Sequence, residues 1–204
     1  MSEESTANSI VYIVDDDQAI RHAMGLLLKS VGLKHEVFAS ADEFLEAHTG
    51  NNDGCLVLDI RMPGLSGLEL QQKLTEMDSS LPIIFITGHG DIPMAVDAIQ
   101  KGAFDFIQKP FRDQELLDRI SEALSTARKR EVEREHKTDV QDRIATLTKR
   151  EHEVLDLVVT GKPNKIIAHE LGVSQRTIEI HRARVMEKMR AKSLAELVRM
   201  HMAA

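Results

Sequence analysis

Across its first 120 residues the chain alternates short apolar runs with longer amphipathic stretches, a pattern that few folds can absorb. The runs IVYIVD (10–15), KHEVFA (34–39), GCLVLD (54–59), PIIFIT (82–87) and FDFIQ (104–108) have the length and composition of strands. Helical patterns follow each of them, near residues 18–31, 41–49, 67–76, 92–101 and 113–127. In the first, Ala19, Met24, Leu27, Leu28 and Val31 recur at three- and four-residue steps. Five strands alternating with five helices predict an α/β doubly wound parallel sheet covered on both faces. In the flavodoxin-like form the strand order is 2-1-3-4-5. Runs one, three and four are apolar almost throughout, as inner strands require, whereas KHEVFA is polar enough for an edge.

Behind this region the charge changes sign. Residues 1–124 hold 9 basic and 21 acidic side chains, a net of −12. Residues 125–145 hold 6 and 5, a net of +1, and residues 146–204 hold 11 and 7, a net of +4. An acidic front and a basic back predict two domains with different partners, the second able to approach a polyanion. RKREVEREHK interleaves both signs without Gly or Pro and reads as a solvated helix continuing the fifth one. The chain therefore divides into a domain at 9–124, a helical linker at 125–145 and a small all-α domain at 146–204. In the last, Thr148 and Glu151 form a capping box ahead of Val154, Leu155 and Val158. NKIIAHEL-GV-SQRTIEIHRA then gives helix, tight Gly turn and a second helix capped by Ser174, the sequence form of a helix-turn-helix. No apolar run approaches the roughly 18 residues of a membrane span. The N-terminus, MSEESTANSI, lacks the basic-then-apolar plan of a secretory signal. The lone Cys55 lies in an apolar run, as a core residue would. A soluble, cytoplasmic protein with no membrane partner is expected.

Ligands of a doubly wound sheet bind beyond the carboxyl ends of its strands, and here those ends are polar. Asp15, Asp16 and Asp17 close the first run, Asp59 the third and Thr87 the fourth; Lys109 follows the fifth, just before Pro110. The predicted strand order brings Asp15, Asp16 and Asp59 to one mouth, so Asp59 ends its apolar run in an open pocket rather than in the core. Carboxylates this close raise one another's pKa, and a cation is needed to hold them ionised. Hard oxygen ligands with open positions suit Mg²⁺, and no Cys/His cluster proposes zinc. A carboxylate beside a divalent ion and a lysine can attack phosphorus and form an aspartyl phosphate. Lys109 would offset the added charge, and the Thr87 hydroxyl could donate to a phosphoryl oxygen.

Four ordered motifs carry a family resemblance. VDDD (14–17), LDIRMPG (58–64), ITGHG (86–90) and FIQKPF (106–111) resemble the receiver domain of bacterial two-component response regulators, over residues 9–125. The resemblance implies that Asp59 accepts a phosphoryl group from a sensor histidine kinase. It implies Mg²⁺ held by Asp15, Asp16, Asp59 and the backbone carbonyl of Arg61. By the same likeness Thr87 and Lys109 grip the phosphoryl group, with a cis peptide before Pro110. Phe106 falls at the family's switch aromatic, whose rotamer follows Thr87. Gly88, next to Thr87, leaves the pocket open to a phosphodonor or an attacking water.

The basic end, LTKREHEVLDLVVTGKPNKIIAHELGVSQRTIEIHRARVMEKM (147–189), resembles the LuxR-type helix-turn-helix. With the receiver in front, the chain is identified as a member of the FixJ branch of the FixJ/NarL response regulators. Pro163 stands where many relatives carry a capping serine, and proline is acceptable in a first helical turn. Helical periodicity groups Ile178, Val185 and Met189 on a core face, with Arg176, Ile180, Ala183 and Glu187 opposite. A recognition helix offers its N-terminal part to base edges. Arg176, Glu179, Ile180 and Ala183 are therefore predicted near bases, Ile180 against a thymine methyl. Lys165, Thr177, Arg182, Arg184 and Lys188 are predicted at phosphates, which position without specifying. The final helix, with Leu194, Leu197, Val198 and Met202, helps to pair two such domains in relatives.

The expected partners are a sensor histidine kinase, double-stranded promoter DNA and a second copy of the chain on phosphorylation, with RNA polymerase a further partner the resemblance allows. Phosphate at Asp59 would bias the face around residues 91–118 toward a dimerising form. The function read from this is transcription regulation, activation being the commoner role in the branch. Beyond slow Mg²⁺-dependent phosphorylation and dephosphorylation of its own receiver, no enzymatic activity is expected. A Mg²⁺-dependent phosphatase is the rival reading, but Asp59-Ile60-Arg61 lacks a second acid two positions on. A phospho-independent DNA-binding protein is disfavoured by the intact Asp/Thr/Lys set.

Overall fold

The computed structural model describes residues 9–48, 53–88 and 92–203, in two compact units, Met1–Glu131 and Val132–Ala204. Among the described residues, elements alternate as β1 (Ile10–Val14), α1 (Gln18–Ser30), β2 (Lys34–Phe38), α2 (Ala41–Ala47), β3 (Gly54–Asp59), α3 (Gly67–Glu76), β4 (Ile83–Thr87), α4 (Ile92–Gln100), β5 (Asp105–Gln108) and α5 (Asp113–Ala145), of which α5 begins in the first unit and ends in the second. The strands form one parallel sheet in the order β2-β1-β3-β4-β5. The polar run is indeed an edge, and every residue of the central β3 is buried.

Side chains alternate across a strand, and here the alternation sorts the core in two. Tyr12, Val14, Leu56, Leu58, Ile83 and Phe85 meet Phe44, Leu70, Leu74, Ala95 and Ala98 on the face covered by α2, α3 and α4. Val11, Ile13, Cys55, Val57, Ile84, Ile86 and Ile107 meet Met24, Leu28, Leu116, Ile120 and Leu124 on the face covered by α1 and α5. Each fully buried Val, Leu, Ile or Phe contributes roughly 1.5–3 kcal/mol against the entropy of ordering the chain. Helix starts are capped as their sequences allow. Ser40 accepts from the Glu43 amide, and Ser66 and Glu69 form a reciprocal box at α3.

The second unit contains α6 (Lys149–Val159), α7 (Asn164–Glu170), α8 (Gln175–Lys188) and α9 (Leu194–Ala203). Its core joins Val154, Leu155, Val158, Ile167, Ile178, Val185, Met189 and Leu197. The turn between α7 and α8 passes through Gly172 at φ +65°, a left-handed conformation that a side chain would strain. Ser174 then caps α8 through the Thr177 amide. Pro163 sits one position earlier than a first-turn proline. It occupies the N-cap of α7 and gives no side-chain cap, while its carbonyl accepts from the Ile166 and Ile167 amides. Val140, which the sequence assigns to the linker, is fully buried in this core, and Ile144 packs against it.

Candidate functional site

The register of β1 with β3 pairs Val14 with Leu58, so Asp15, just past β1, and Asp59, the last residue of β3, stand side by side at the carboxyl end of the sheet. Both share the facing of Ile13 and Val57, and Lys109 stands two residues beyond Ile107 on that same side. The Lys109 ammonium closes the arrangement, donating to Asp15 Oδ2 at 2.9 Å and to Asp59 Oδ1 at 2.7 Å. The carboxylate that ends an apolar strand thus finds a cation from its own chain, 50 residues away. The Asp17 amide donates to Asp15 Oδ1 at 2.8 Å, and the Arg61 amide to Asp59 Oδ2 at 2.9 Å. Burial raises the pKa of Asp59 above its ordinary value and the Asp15 charge adds to this; Lys109 and the Arg61 amide only partly offset them. For Lys109 burial works against the charge, but the two carboxylates outweigh it and raise the pKa. The Lys109–Pro110 peptide is cis.

Thr87 ends β4 on the opposite face of the sheet. The pairings Phe85 with Phe106 and Thr87 with Gln108 put Thr87 and Phe106 on the α4 side. Thr87 is buried and its hydroxyl donates to the Gly88 carbonyl at 3.0 Å. Phe106 is half-buried against the cluster containing Ala95 and Ala98. His89 and Gly90, the end of the ITGHG motif, lie outside the described residues.

Asp16 is exposed, and among the described residues no group of three His, Cys, Asp or Glu side chains converges on one point. Of the three acids read from the sequence, the structure brings together Asp15 and Asp59, while Asp16, one residue further past the end of β1, is exposed. The donor chemistry still fits a small hard cation. Each carboxylate oxygen retains a lone pair beside the bonds it accepts, and Mg²⁺ takes one or two carboxylates and keeps its waters.

Asp17, placed by the sequence only at the end of the first run, and two residues that sequence reasoning passed over support this mouth. Asp17 caps α1 through the Ala19 amide. Arg21 Nη1 donates to the Asp15 carbonyl at 2.6 Å. Gly67, the first residue of α3, packs so closely that a Cβ there would lie 2.3 Å from the Asp59 carbonyl oxygen. Its signal was available, since glycine is a poor helix former and immediately follows a good N-cap.

On α8, Ile178, Val185 and Met189 are buried, while Arg176, Glu179, Ile180, Ala183, Arg184 and Glu187 are exposed. Lys165 on α7 is exposed as well. Thr177 is half-buried with its hydroxyl 2.8 Å from Ser174 Oγ, and Arg182 donates to Asn164 Oδ1 at 2.9 Å. Lys188 departs from its assignment. Its ammonium donates to Glu151 Oε2 at 2.6 Å and to the Thr146 carbonyl at 3.0 Å. Glu151 is a buried acid, held down to a pKa of about 2 by Lys188 and by the Thr148 amide of its capping box. Lys188 is thus an internal counter-ion to Glu151, a role the sequence reading did not assign to it.

A lysine-bridged acid pair at the mouth of a doubly wound sheet, followed by a helix-turn-helix, defines a class: phosphoacceptor domains joined to DNA-binding domains. Comparison with known proteins narrows it. Residues 11–121 match the response regulator receiver domain, and residues 145–201 match the luxR family of bacterial regulatory proteins. Nodulation protein W of Bradyrhizobium diazoefficiens is 48% identical over 197 residues, 97% of this chain and 87% of that one. Transcriptional regulatory protein FixJ of the same organism is 43% identical over 199 residues, 98% of this chain and 97% of its own. Among solved structures, the response regulator StyR gives a TM-score of 0.88 at 44% identity, covering 96% of this chain and 99% of that one. Full-length FixJ from B. japonicum gives 0.61 at 43% identity, covering 97% and 98%. The chain belongs to the two-component response regulators of the FixJ branch. It is a regulator of transcription rather than a member of a catalytic enzyme family. Among its described residues no helix is long and apolar enough to cross a membrane.

Proposed function

We propose that Asp59 is the phosphoacceptor and that its phosphorylation by a sensor histidine kinase switches DNA binding by the second domain. The observation that carries this is the Lys109 ammonium shared between Asp15 and Asp59 at 2.9 and 2.7 Å. In the reaction a carboxylate oxygen of Asp59 bonds to phosphorus while the phosphorus–nitrogen bond of the donor's phosphohistidine breaks, its electron pair leaving with the imidazole. Lys109 remains beside the new oxygens and offsets their charge. The Thr87 hydroxyl, now on the Gly88 carbonyl, turns to donate to a phosphoryl oxygen, and Phe106 on the same face repacks against α4. Gly88 leaves the approach to the phosphorus open, which favours fast exchange. Mg²⁺ would be held by Asp15, Asp16, Asp59 and the Arg61 carbonyl and would supply the remaining neutralisation. The receiver then slowly loses its own phosphate to water.

The exposed Val96 and Ile99 of α4 support that helix as part of the face that pairs two phosphorylated copies. Exposed Leu194 and Met202 of α9 support pairing of the DNA-binding domains on promoter DNA. Arg176, Glu179, Ile180 and Ala183 meet base edges, and Lys165, Thr177, Arg182 and Arg184 the backbone. The role is activation, exerted in the cytoplasm and completed by contact with RNA polymerase. Incubation of the chain with Mg²⁺ and acetyl phosphate, followed by intact mass measurement, should show one hydroxylamine-labile phosphoryl adduct that Asp59→Asn abolishes. An adduct that persists in Asp59→Asn, or none in the wild type, defeats the proposal.

A further inference from the structure

The segment read as a linker ends in contacts that a linker has no need of. Arg143, in the last turn of α5, donates from Nη1 to the Met189 carbonyl at 3.0 Å, across 46 residues. Met189 is the C-cap of α8, so this guanidinium satisfies a carbonyl at the open C-terminal end of the helix that carries the candidate base contacts. A cation there also meets the negative end of the helix dipole. Two residues past Arg143 the helix ends, and the Thr146 carbonyl beyond it accepts from Lys188, the last residue of α8. Val140 and Ile144, on the same stretch, are in the core of the second unit. The end of α5 and the end of α8 are thus joined by two polar contacts and a shared apolar seam.

The last two turns of α5 lie in the second unit, and we infer that Arg143 is a positioning residue, holding the recognition helix at its C-terminal end. The inference rests on the reading of α8 as that helix. Arg143 directs its guanidinium inward and touches no DNA. Its loss lets the end of α8 shift relative to α6 and α7, which blunts the fit of Arg176 and Ile180 to a site without removing a phosphate contact.

The test uses the full-length chain, phosphorylated with acetyl phosphate and Mg²⁺ and checked by intact mass, and a promoter duplex selected by the phosphorylated wild-type protein from a random pool, with affinity measured by fluorescence anisotropy over a salt series. Failure of the wild type to enrich any duplex would refute the reading of α8 and the inference with it. Arg143→Ala should lose affinity by about tenfold, the equivalent of one charge-assisted hydrogen bond. The slope of log affinity against log salt should not change. Arg143→Lys, which keeps a donor and a charge, should recover most of the loss. A fall in the slope of about 0.9, the signature of one lost phosphate contact, would overturn the inference, as would wild-type affinity in Arg143→Ala. Should Arg143→Ala fold poorly by circular dichroism, Arg143→Lys and Arg143→Gln decide on the same slope and affinity criteria.

Discussion

Replacing Gly67 by alanine tests whether the proposed phosphorylation site depends on backbone packing beneath it. The added Cβ would lie 2.3 Å from the Asp59 carbonyl oxygen and 3.1 Å from both Ile60 Cα and Phe85 Cε1. Bonded neighbours aside, carbon and oxygen do not approach closer than about 3.0 Å, so the Asp59 carbonyl or the start of α3 must move by roughly 0.7 Å. Phe85 is fully buried and Ile60 nearly so, which closes the other directions of escape. The Gly67 amide also donates to the Ile60 carbonyl at 3.0 Å, so a shift of the helix breaks that bond too. Overpacking of this kind costs about 1–3 kcal/mol. The same displacement moves the Asp59 carboxylate relative to Lys109, and a misplacement near 1 Å can cost about a hundredfold in rate. Alanine at this position should therefore lower the urea midpoint moderately and slow phosphorylation by acetyl phosphate at least tenfold. The rate should be followed by intact mass at a temperature where circular dichroism shows the variant fully folded. Wild-type phosphorylation by a folded Gly67→Ala chain would refute the argument that this close approach sets the position of Asp59.

Two further outcomes follow from the buried acids. The folded-state pKa of Glu151 lies near 2 against an ordinary 4.5, so its contribution to stability is fully present above about pH 4.5 and is lost as pH falls through that window toward 2. Acid unfolding of the second unit, followed by circular dichroism, should begin near pH 4.5, and Lys188→Met should raise that onset; an unchanged onset would disprove the pairing. For Asp59 the sign is reversed. Its folded-state pKa is raised above 3.8, so ionisation costs stability as pH rises past that value. Asp59→Asn should keep or raise the urea midpoint at pH 7, and a lower midpoint with an unchanged slope would contradict this.

What was legible in the chain was what local pattern encodes. Near-continuous apolar runs marked β1, β3 and β4 as inner strands, and helical periodicity placed Ile178, Val185 and Met189 on the core face of α8 and its C-cap. Strand ends then located Asp15, Asp59, Thr87 and Lys109, because a parallel sheet gathers those ends whatever the intervening helices contain. Partnerships across the chain were not legible. Helical periodicity shows that Lys188 lies off the buried stripe, but not that Glu151, 37 residues earlier, waits beneath it. A charged, Gly-free stretch predicts helix for residues 125–145, yet nothing local shows that Val140 ends in the second core or that Arg143 reaches Met189. These depend on how finished elements dock.

The two lysine–acid pairs show how docking separates structure from function. Glu151 and Asp59 are both buried carboxylates bonded to a lysine, at 2.6 and 2.7 Å. Glu151 also meets the Thr148 amide at the start of α6, and its charge is favoured. Asp59 also meets an amide, that of Arg61, but it lies against Asp15 as well, and burial leaves its charge disfavoured. One pair strengthens the fold that holds it. The other retains a poorly compensated anion at the open end of the sheet, a place where a divalent cation would be favoured.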